Sequence, residues 1–347
     1  MKVVLAGGSG QIGTILARRR QARGDDVVVL SRDPQPAPWR TAGWDARTPG
    51  AWAAEIDGAD VLINLAGRSV DCRYTPANRA AILESRVDST RVLGQAIAAA
   101  ARPPRIWLQS STATIYAHRF DAPNDEATGL IGGTEPDAPA SWRFSIDVAR
   151  AWEAAADELP LPGTRVVKLR TAMVMSPDPG GIFATLLGLV RRGLGGTSGS
   201  GRQFVSWIHD TDFLAAIDWL IGHRAARSAP GPTTAPESGA AAGPSRGDQP
   251  TVVNLAAPEP LPNAAFMRAL RRAWGAPIGL PATSWMLELG AFALRTETEL
   301  VLKSRRVVPG VLLRDGFRFQ FPAWPDAAAD LCRRWRERPA GPTPRTG

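Results

Sequence analysis

The first residues whose types and spacing could do chemistry are Gly7-Gly8-Ser9-Gly10-Gln11-Ile12-Gly13. They follow an apolar run and open a helical pattern. Glycine at positions 7, 10 and 13 lets the backbone turn tightly, approach a pyrophosphate closely, and pack the helix against a sheet. The helix N-terminus behind Ser9, Gln11 and Ile12 offers free N–H groups and a partial positive charge to phosphate. This is the pattern of a dinucleotide-binding loop. The end of the next apolar run selects the dinucleotide. A carboxylate there would accept from a ribose 2′-hydroxyl, but this chain has Ser31-Arg32. A guanidinium fork suits a 2′-phosphate, which points to NADP; a solvated surface arginine is the plainer alternative. Asn64-Leu65-Ala66-Gly67 closes a third apolar run with side chains small enough for ribose and pyrophosphate to lie against the backbone.

Groups able to handle a proton are sparser. Ser110, Ser111 and Thr112 end another apolar run, where one hydroxyl could hold a substrate oxygen or cap the local backbone. Tyr116 follows in the loop and could serve as an acid. His209 could exchange a proton near neutral pH, or tie its own loop together through its ring nitrogens. Asp125-Glu126 and Asp212 are acidic neighbours. Thr112, Tyr116 and His209 are therefore the catalytic expectations. His118, His209 and His223 are too dispersed for a metal centre, and Cys72 and Cys332 make neither a zinc site nor a disulfide framework.

These residues need a scaffold that gathers them at one edge. Strands are expected over 2–6, 26–31, 61–64, 105–109 and 164–170, with helices over 12–23, 76–101 and 145–159. The alternation implies βαβ units: an α/β, Rossmann-type, doubly wound parallel sheet that binds ligands at the carboxyl ends of its strands. After residue 170 the rhythm breaks into glycine loops, a helix near 183–192, a strand at 204–208, a helix at 211–222, a strand at 251–255 and helices at 264–274, 285–303 and 326–336. We expect an NAD(P)-binding domain over 1–170 and a smaller α+β C-terminal substrate domain over 171–337. The stretch 225–250, rich in Ala, Pro, Gly, Ser and Thr, reads as a flexible insertion, and 338–347 as a disordered tail.

The 347 residues include 44% hydrophobic and 21% charged residues, enough apolar material for a sizeable core. A net charge of +8 raises the question of nucleic acid, but the arginines are scattered without dense runs, and none is expected as a partner. No stretch has the run of apolar residues that a membrane helix requires. Met1–Gly8 is too short and glycine-rich for a signal peptide, so cytoplasmic residence is the expectation. A homo-oligomer is compatible with the sequence.

Together the glycine loop, the Asn64–Gly67 turn and Ser110-Ser111-Thr112-Ala113-Thr114-Ile115-Tyr116 resemble the extended short-chain dehydrogenase/reductase superfamily. More narrowly the chain is similar to an epimerase-like branch that carries a C-terminal domain of unknown function. The resemblance rests on Ser85-Arg86, Trp152-Glu153, Gly180-Gly181-Ile182-Phe183, Ser206-Trp207-Ile208-His209-Asp210-Thr211-Asp212, Lys303–Pro309 and Gly316–Pro322. It implies NADP as cofactor, with Ser31, Arg32, Leu65, Ala66 and Arg86 beside it and Arg86 reaching toward phosphate.

The superfamily acts through a Tyr-x-x-x-Lys pair, which puts a phenol and the lysine that lowers its pKa on one helix face. Here the only tyrosines, Tyr74 and Tyr116, are followed four residues on by Asn78 and Phe120. On the helix expected at 145–159 the pair's positions hold Ser145 and Ala149, or Val148 and Trp152. The branch itself commonly lacks the pair. Two readings follow. One is an NADP-dependent, epimerase-like or oxidoreductase-like protein acting on a small hydroxyl or carbonyl compound through another proton donor. The other is a non-catalytic NADP(H)-binding sensor or protein-interaction module.

Overall fold

A computed structural model describes residues 1–136, 138–139, 142–226, 251–282 and 299–338. Its centre is a seven-stranded sheet built from β1 (Lys2–Ala6), β2 (Asp26–Ser31), β3 (Arg40–Gly43), β4 (Val61–Asn64), β5 (Ile106–Thr112), β6 (Arg165–Thr171) and, after three short strands, β10 (Val252–Leu255). The spatial order is β10-β6-β5-β4-β1-β2-β3, and every pairing is parallel. The order reverses between β1 and β4, which places a crevice at their carboxyl ends.

Both faces of the sheet are covered, so its strands are apolar throughout rather than alternating. On one face Val3 and Leu5 pack with α1 (Gln11–Ala22) and with Phe213, Ile217 and Leu220 of α5 (Asp210–Ala226). On the other, Val4 and Ala6 pack with Val92, Leu93 and Ile97 of α2 (Pro76–Ala99), and α3 (Arg143–Ala155) lies beside α2. Thr75 caps α2 by accepting from the Asn78 N–H at 3.3 Å, and Pro76 fills the first helical position, where its missing N–H is harmless. Arg20 of α1 is buried, 2.8 Å from Asp25 and 2.7 Å from Asp218 of α5.

A second, smaller layer contains α4 (Ile182–Arg191), α6 (Asn263–Trp274) and α7 (Trp324–Arg336) around Phe183, Trp207, Phe266 and Trp324. Two strand pairs edge it: β7 (Met173–Met175) with β9 (Trp207–His209) in parallel, and β8 (Phe204–Val205) with β11 (Leu261–Pro262) antiparallel. Helical turns occur at Glu299–Leu302 and Gly310–Arg314.

The expected elements of the first 170 residues are present, with β5 running on through Ser110, Ser111 and Thr112. The strand β3 was not legible: Arg40-Thr41-Ala42-Gly43 is a polar edge strand without an apolar run. The expected strand at 204–208 is two strands, because its halves pair with different partners, Phe204–Val205 with β11 and Trp207–His209 with β7, while the Ser206 hydroxyl between them turns inward to Arg305 O and Val307 N. The seventh strand and the helix α5 on the sheet face both come from chain beyond residue 170. The expected insertion 225–250 and tail 338–347, apart from 225–226 and 338, lie outside the described residues, as does most of the expected helix at 285–303. Among the described residues no helix is long and apolar enough to cross a membrane.

Candidate functional site

The loop from β1 into α1 uses its three glycines in three different ways. Gly7 has φ +72°, and a Cβ there would stand 2.7 Å from Ala66 Cα, so the turn closes against the neighbouring strand exit. A Cβ at Gly13 would stand 2.2 Å from the Gly8 carbonyl oxygen, so helix and loop touch backbone to backbone. A Cβ at Gly10 would meet nothing within 4 Å. The N-cap of α1 therefore presents an open face. Ser9 and Gly10 are exposed. Gln11 is otherwise engaged, since its Nε2 donates to Asp178 O at 2.8 Å and its side chain lies against Gly181. Ile12 packs on the core, which leaves its backbone as its contribution to the loop.

At the end of β2, the Ser31 hydroxyl is buried in a tight turn, donating to Asp33 O at 3.0 Å and accepting from Asp33 N at 3.2 Å. Arg32 projects from that turn, exposed and without a hydrogen-bond or ion-pair partner among the described residues. At the end of β4, buried Asn64 holds the next turn. Its Nδ2 donates to Thr90 Oγ1 at 3.3 Å and to Gln109 Oε1 at 3.0 Å, and its Oδ1 accepts from Ala66 N at 3.0 Å. Leu65 N donates to Ala6 O, which joins this exit to the glycine loop.

Arg86 of α2 crosses to this edge. Its guanidinium lies 3.1 Å from where a Gly67 Cβ would be and 5.0 Å from the Trp152 ring centroid, with Nη1 donating to the Arg68 and Ile82 carbonyls. Desolvation lowers its pKa to about 10, and this half-buried cation borders the Gly67 turn. Glycine loop, Arg32, Leu65–Gly67 and Arg86 thus share one rim at the carboxyl end of the sheet, where β5 runs on through Ser110 to Thr112.

The expected proton donors fare differently. The Thr112 hydroxyl accepts from Thr114 N at 3.1 Å and caps the turn Ala113–Ile115, while its own proton is still able to donate. Tyr116 is 1% exposed; its hydroxyl donates to Asn254 Oδ1 at 2.9 Å and accepts from Arg170 at 3.1 Å, and burial raises its pKa. A phenol whose one proton is committed in the interior is not placed to protonate a substrate. His209 is fully buried and stacked on Phe321 at 4.0 Å. Its Nδ1 accepts from Thr211 N at 3.1 Å and its Nε2 faces Asp330 at 3.1 Å, which assigns the proton to Nε2. Desolvation lowers its pKa. In this structure Tyr116 and His209 both serve as internal ties. Asp212 likewise accepts from the Gln320 and Phe321 N–H groups.

The sequence reading missed two buried clusters behind the rim. Glu153 of α3 accepts from Arg170 Nε and Nη2, each at 2.8 Å, and from the Ser111 hydroxyl at 2.6 Å. Arg170 and Ser111 hold its carboxyl below the ordinary value against desolvation. Glu126 accepts from Asn254 N and Val311 N, and burial raises its pKa. The second cluster joins the exit of β5 to the first turn of α3. Ser145 donates to Glu299 at 2.6 Å, Lys303 donates to Thr114 O at 2.8 Å, and Arg305 Nε donates to Thr114 Oγ1 at 3.1 Å. The signal for the first was Glu153 itself, an acid on an otherwise apolar helix face. Nothing local signalled the second, because Ser145 meets Glu299, and Thr114 meets Lys303, only in the fold.

The comparisons with known proteins agree with this architecture. A family model described as the NAD dependent epimerase/dehydratase family matches residues 3–232, and a domain of unknown function, DUF1731, matches residues 282–331. The chain is 33% identical to the epimerase family protein SDR39U1 of Bos taurus over 327 residues, covering 93% of this chain and 96% of that protein. Among solved structures it is similar to human SDR39U1 crystallised with NADPH, at 28% identity, TM-score 0.77, and 96% and 99% coverage of the two chains. It is also similar to a nucleoside-diphosphate sugar epimerase from Corynebacterium glutamicum, at 26% identity and TM-score 0.67, covering 95% of this chain and 58% of that one. A parallel seven-stranded sheet with this strand order, a glycine cradle at its switch point and a matched second module lead to one conclusion: the chain belongs to the NAD-dependent epimerase/dehydratase family, in the form that carries DUF1731.

Proposed function

We propose that the protein binds NADP(H) at the rim formed by Gly7, Ser9, Gly10, Gly13, Arg32, Ala66 and Arg86, and acts on a small hydroxyl or carbonyl compound as an epimerase-like or oxidoreductase-like enzyme. One observation carries the cofactor choice: an exposed guanidinium, Arg32, without a partner among the described residues, at the end of β2, where a carboxylate would select NAD. The open face at Gly10 and the exposed first turn of α1 fit a pyrophosphate. That human SDR39U1 was crystallised with NADPH supports the reading. Ser110 and Thr112 would present hydroxyls on the nicotinamide side, and the 171–337 module would supply the substrate side. Residence in the cytoplasm accords with this use of NADP(H).

Bound NADPH would supply a hydride; the chain's part is to orient the substrate and move the proton. The test is fluorescence of bound NADPH during a screen of aldehydes, ketones and nucleotide sugars. Oxidation with a member of the screen is the expected result. Tight binding without any turnover would instead favour a cofactor sensor, a reading that the burial of Tyr116 and His209 supports.

A further inference from the structure

In the smaller layer, α4 carries apolar side chains on both faces. Phe183, Leu187 and Val190 are buried in the layer's core, while Ile182, Leu186 and Leu189 share the outward face, where Ile182 and Leu189 are exposed. A solvated helix would turn polar side chains that way. The turns that follow α4 and α6 extend this face: Ile278, Leu280 and Leu194 are 64%, 58% and 49% exposed. Leu194 N donates to Leu189 O at 2.9 Å, Leu280 N to Gly193 O at 2.8 Å and Arg271 Nη1 to Gly195 O at 2.8 Å, so both turns belong to one surface. Arginines surround it. Arg191 and Arg192 end α4, Arg272 stands in the last turn of α6, and Arg336, in the last turn of α7, donates to Trp274 O at 2.8 Å. Arg191 and Arg336 lie over the Trp274 ring, 5.6 and 4.4 Å from its centroid. Between residues 182 and 204, and between 263 and 282, every charged side chain is an arginine. The acids of α7 are distant or paired: Asp326 is in its first turn, at the opposite end from Arg336, and Arg333 binds Asp330 and Glu337.

We propose that this corner docks on an anionic membrane surface, with Leu189, Leu194, Ile278 and Leu280 entering the headgroup region and Arg192, Arg272 and Arg336 meeting lipid phosphates. Arginine at a helix C-terminus is ordinary by itself, because it complements the negative end of the helix dipole. Exposed isoleucine and leucine gathered between such arginines have no such account. Cations beside apolar side chains match a surface with phosphate outside and acyl chains beneath. A second copy of the chain matches it poorly, because a two-fold contact of this patch on itself sets arginine against arginine. An acidic polypeptide would answer the arginines and leave Ile278 and Leu280 in water. Docking of this kind lies on the membrane rather than across it, and holds whether or not the crevice turns over a substrate.

The test is co-sedimentation of the full-length chain with vesicles of phosphatidylcholine alone and of equimolar phosphatidylcholine and phosphatidylserine. The wild type should bind the anionic vesicles, release them as salt is raised, and leave the neutral ones alone. Two double variants separate the contributions: Ile278→Ser with Leu280→Ser, and Arg192→Gln with Arg272→Gln. All four side chains are exposed, so both variants should keep the wild-type melting temperature. Each should lower the partition coefficient by about tenfold or more. Arg47→Gln with Arg105→Gln, the same change of charge at exposed positions on the sheet domain, should bind as the wild type does. No co-sedimentation, equal binding to neutral vesicles, or an equal loss in the Arg47 and Arg105 variant would overturn the proposal. A chain that ignores both vesicles and binds polyglutamate would assign the corner to an acidic polypeptide instead. A dimer in solution that Ile278→Ser with Leu280→Ser disperses, with no vesicle binding, would assign it to a second copy; either result overturns the membrane surface.

Discussion

At the scale of residues, the glycine loop separates what folding needs from what a ligand needs. Gly13 faces the Gly8 carbonyl at 2.2 Å from any added Cβ, whereas Gly10 faces open space with an ordinary extended φ of −78°. Gly13→Ala is therefore expected to destabilise the fold by about 1–3 kcal/mol, the scale of forced overpacking, as read by chemical denaturation. Gly10→Ala should leave the unfolding midpoint unchanged and weaken NADPH binding in a fluorescence titration. Equal loss of stability in both variants would contradict this division. The spacing of these glycines was legible in the sequence because their constraint is local. The fates of Tyr116 and His209 were not, because each is decided by partners far away in the chain: Asn254 and Arg170 for one, Asp330 and Phe321 for the other.

At the scale of elements, buried ion pairs lock helices to the sheet. Glu153 on α3 and Arg170 on β6 satisfy one another and Ser111 on β5. Removing one partner strands the other charge in the interior, so Glu153→Ala should cost about 3–5 kcal/mol in urea unfolding. A cost below about 1 kcal/mol, typical of a surface pair, would show that the pair is solvated. The tie between β9 and α7 predicts a pH dependence. Burial lowers the His209 pKa, so the folded state favours the neutral ring. The stability from this group is present above the unfolded-state pKa of about 6.5 and is lost as pH falls through the lower folded-state value. His209→Gln should therefore flatten the loss of stability on acidification below about pH 6.5. An unchanged slope would assign that loss to other groups. Strand and helix periodicity revealed most elements before residue 171, since each is buried on a regular face. It failed at β3, whose edge position lets polar residues suffice, and at β7 and β11, which are too short to carry a period.

At the scale of the whole molecule, the sheet, its seventh strand and the C-terminal segment form one continuous structure around the crevice where the strand order reverses. The superfamily and the doubly wound architecture were readable from the first half of the chain, and the narrower epimerase-like branch from motifs such as Ser206–Asp212 and Lys303–Pro309 in the second. The way residues 299–308 return to the exit of β5 was not, because Lys303, Ser304, Arg305 and Arg306 reach Thr114, Arg119 and Phe120 across more than half the sequence. Because the nucleotide rim is built from the exits of several strands, a bound dinucleotide should stabilise the whole fold. Saturation at about 100 times Kd adds about 2.7 kcal/mol, and a rise in melting temperature of about 2–4 °C is expected with NADPH. The most direct measurement is a parallel titration of wild type and Arg32→Glu with NADPH and NADH. The account predicts that wild type binds NADPH more tightly than NADH, and that Arg32→Glu loses about tenfold or more of its NADPH affinity while NADH binding is little changed. No uptake of either dinucleotide, or an NADPH affinity indifferent to Arg32, would contradict it.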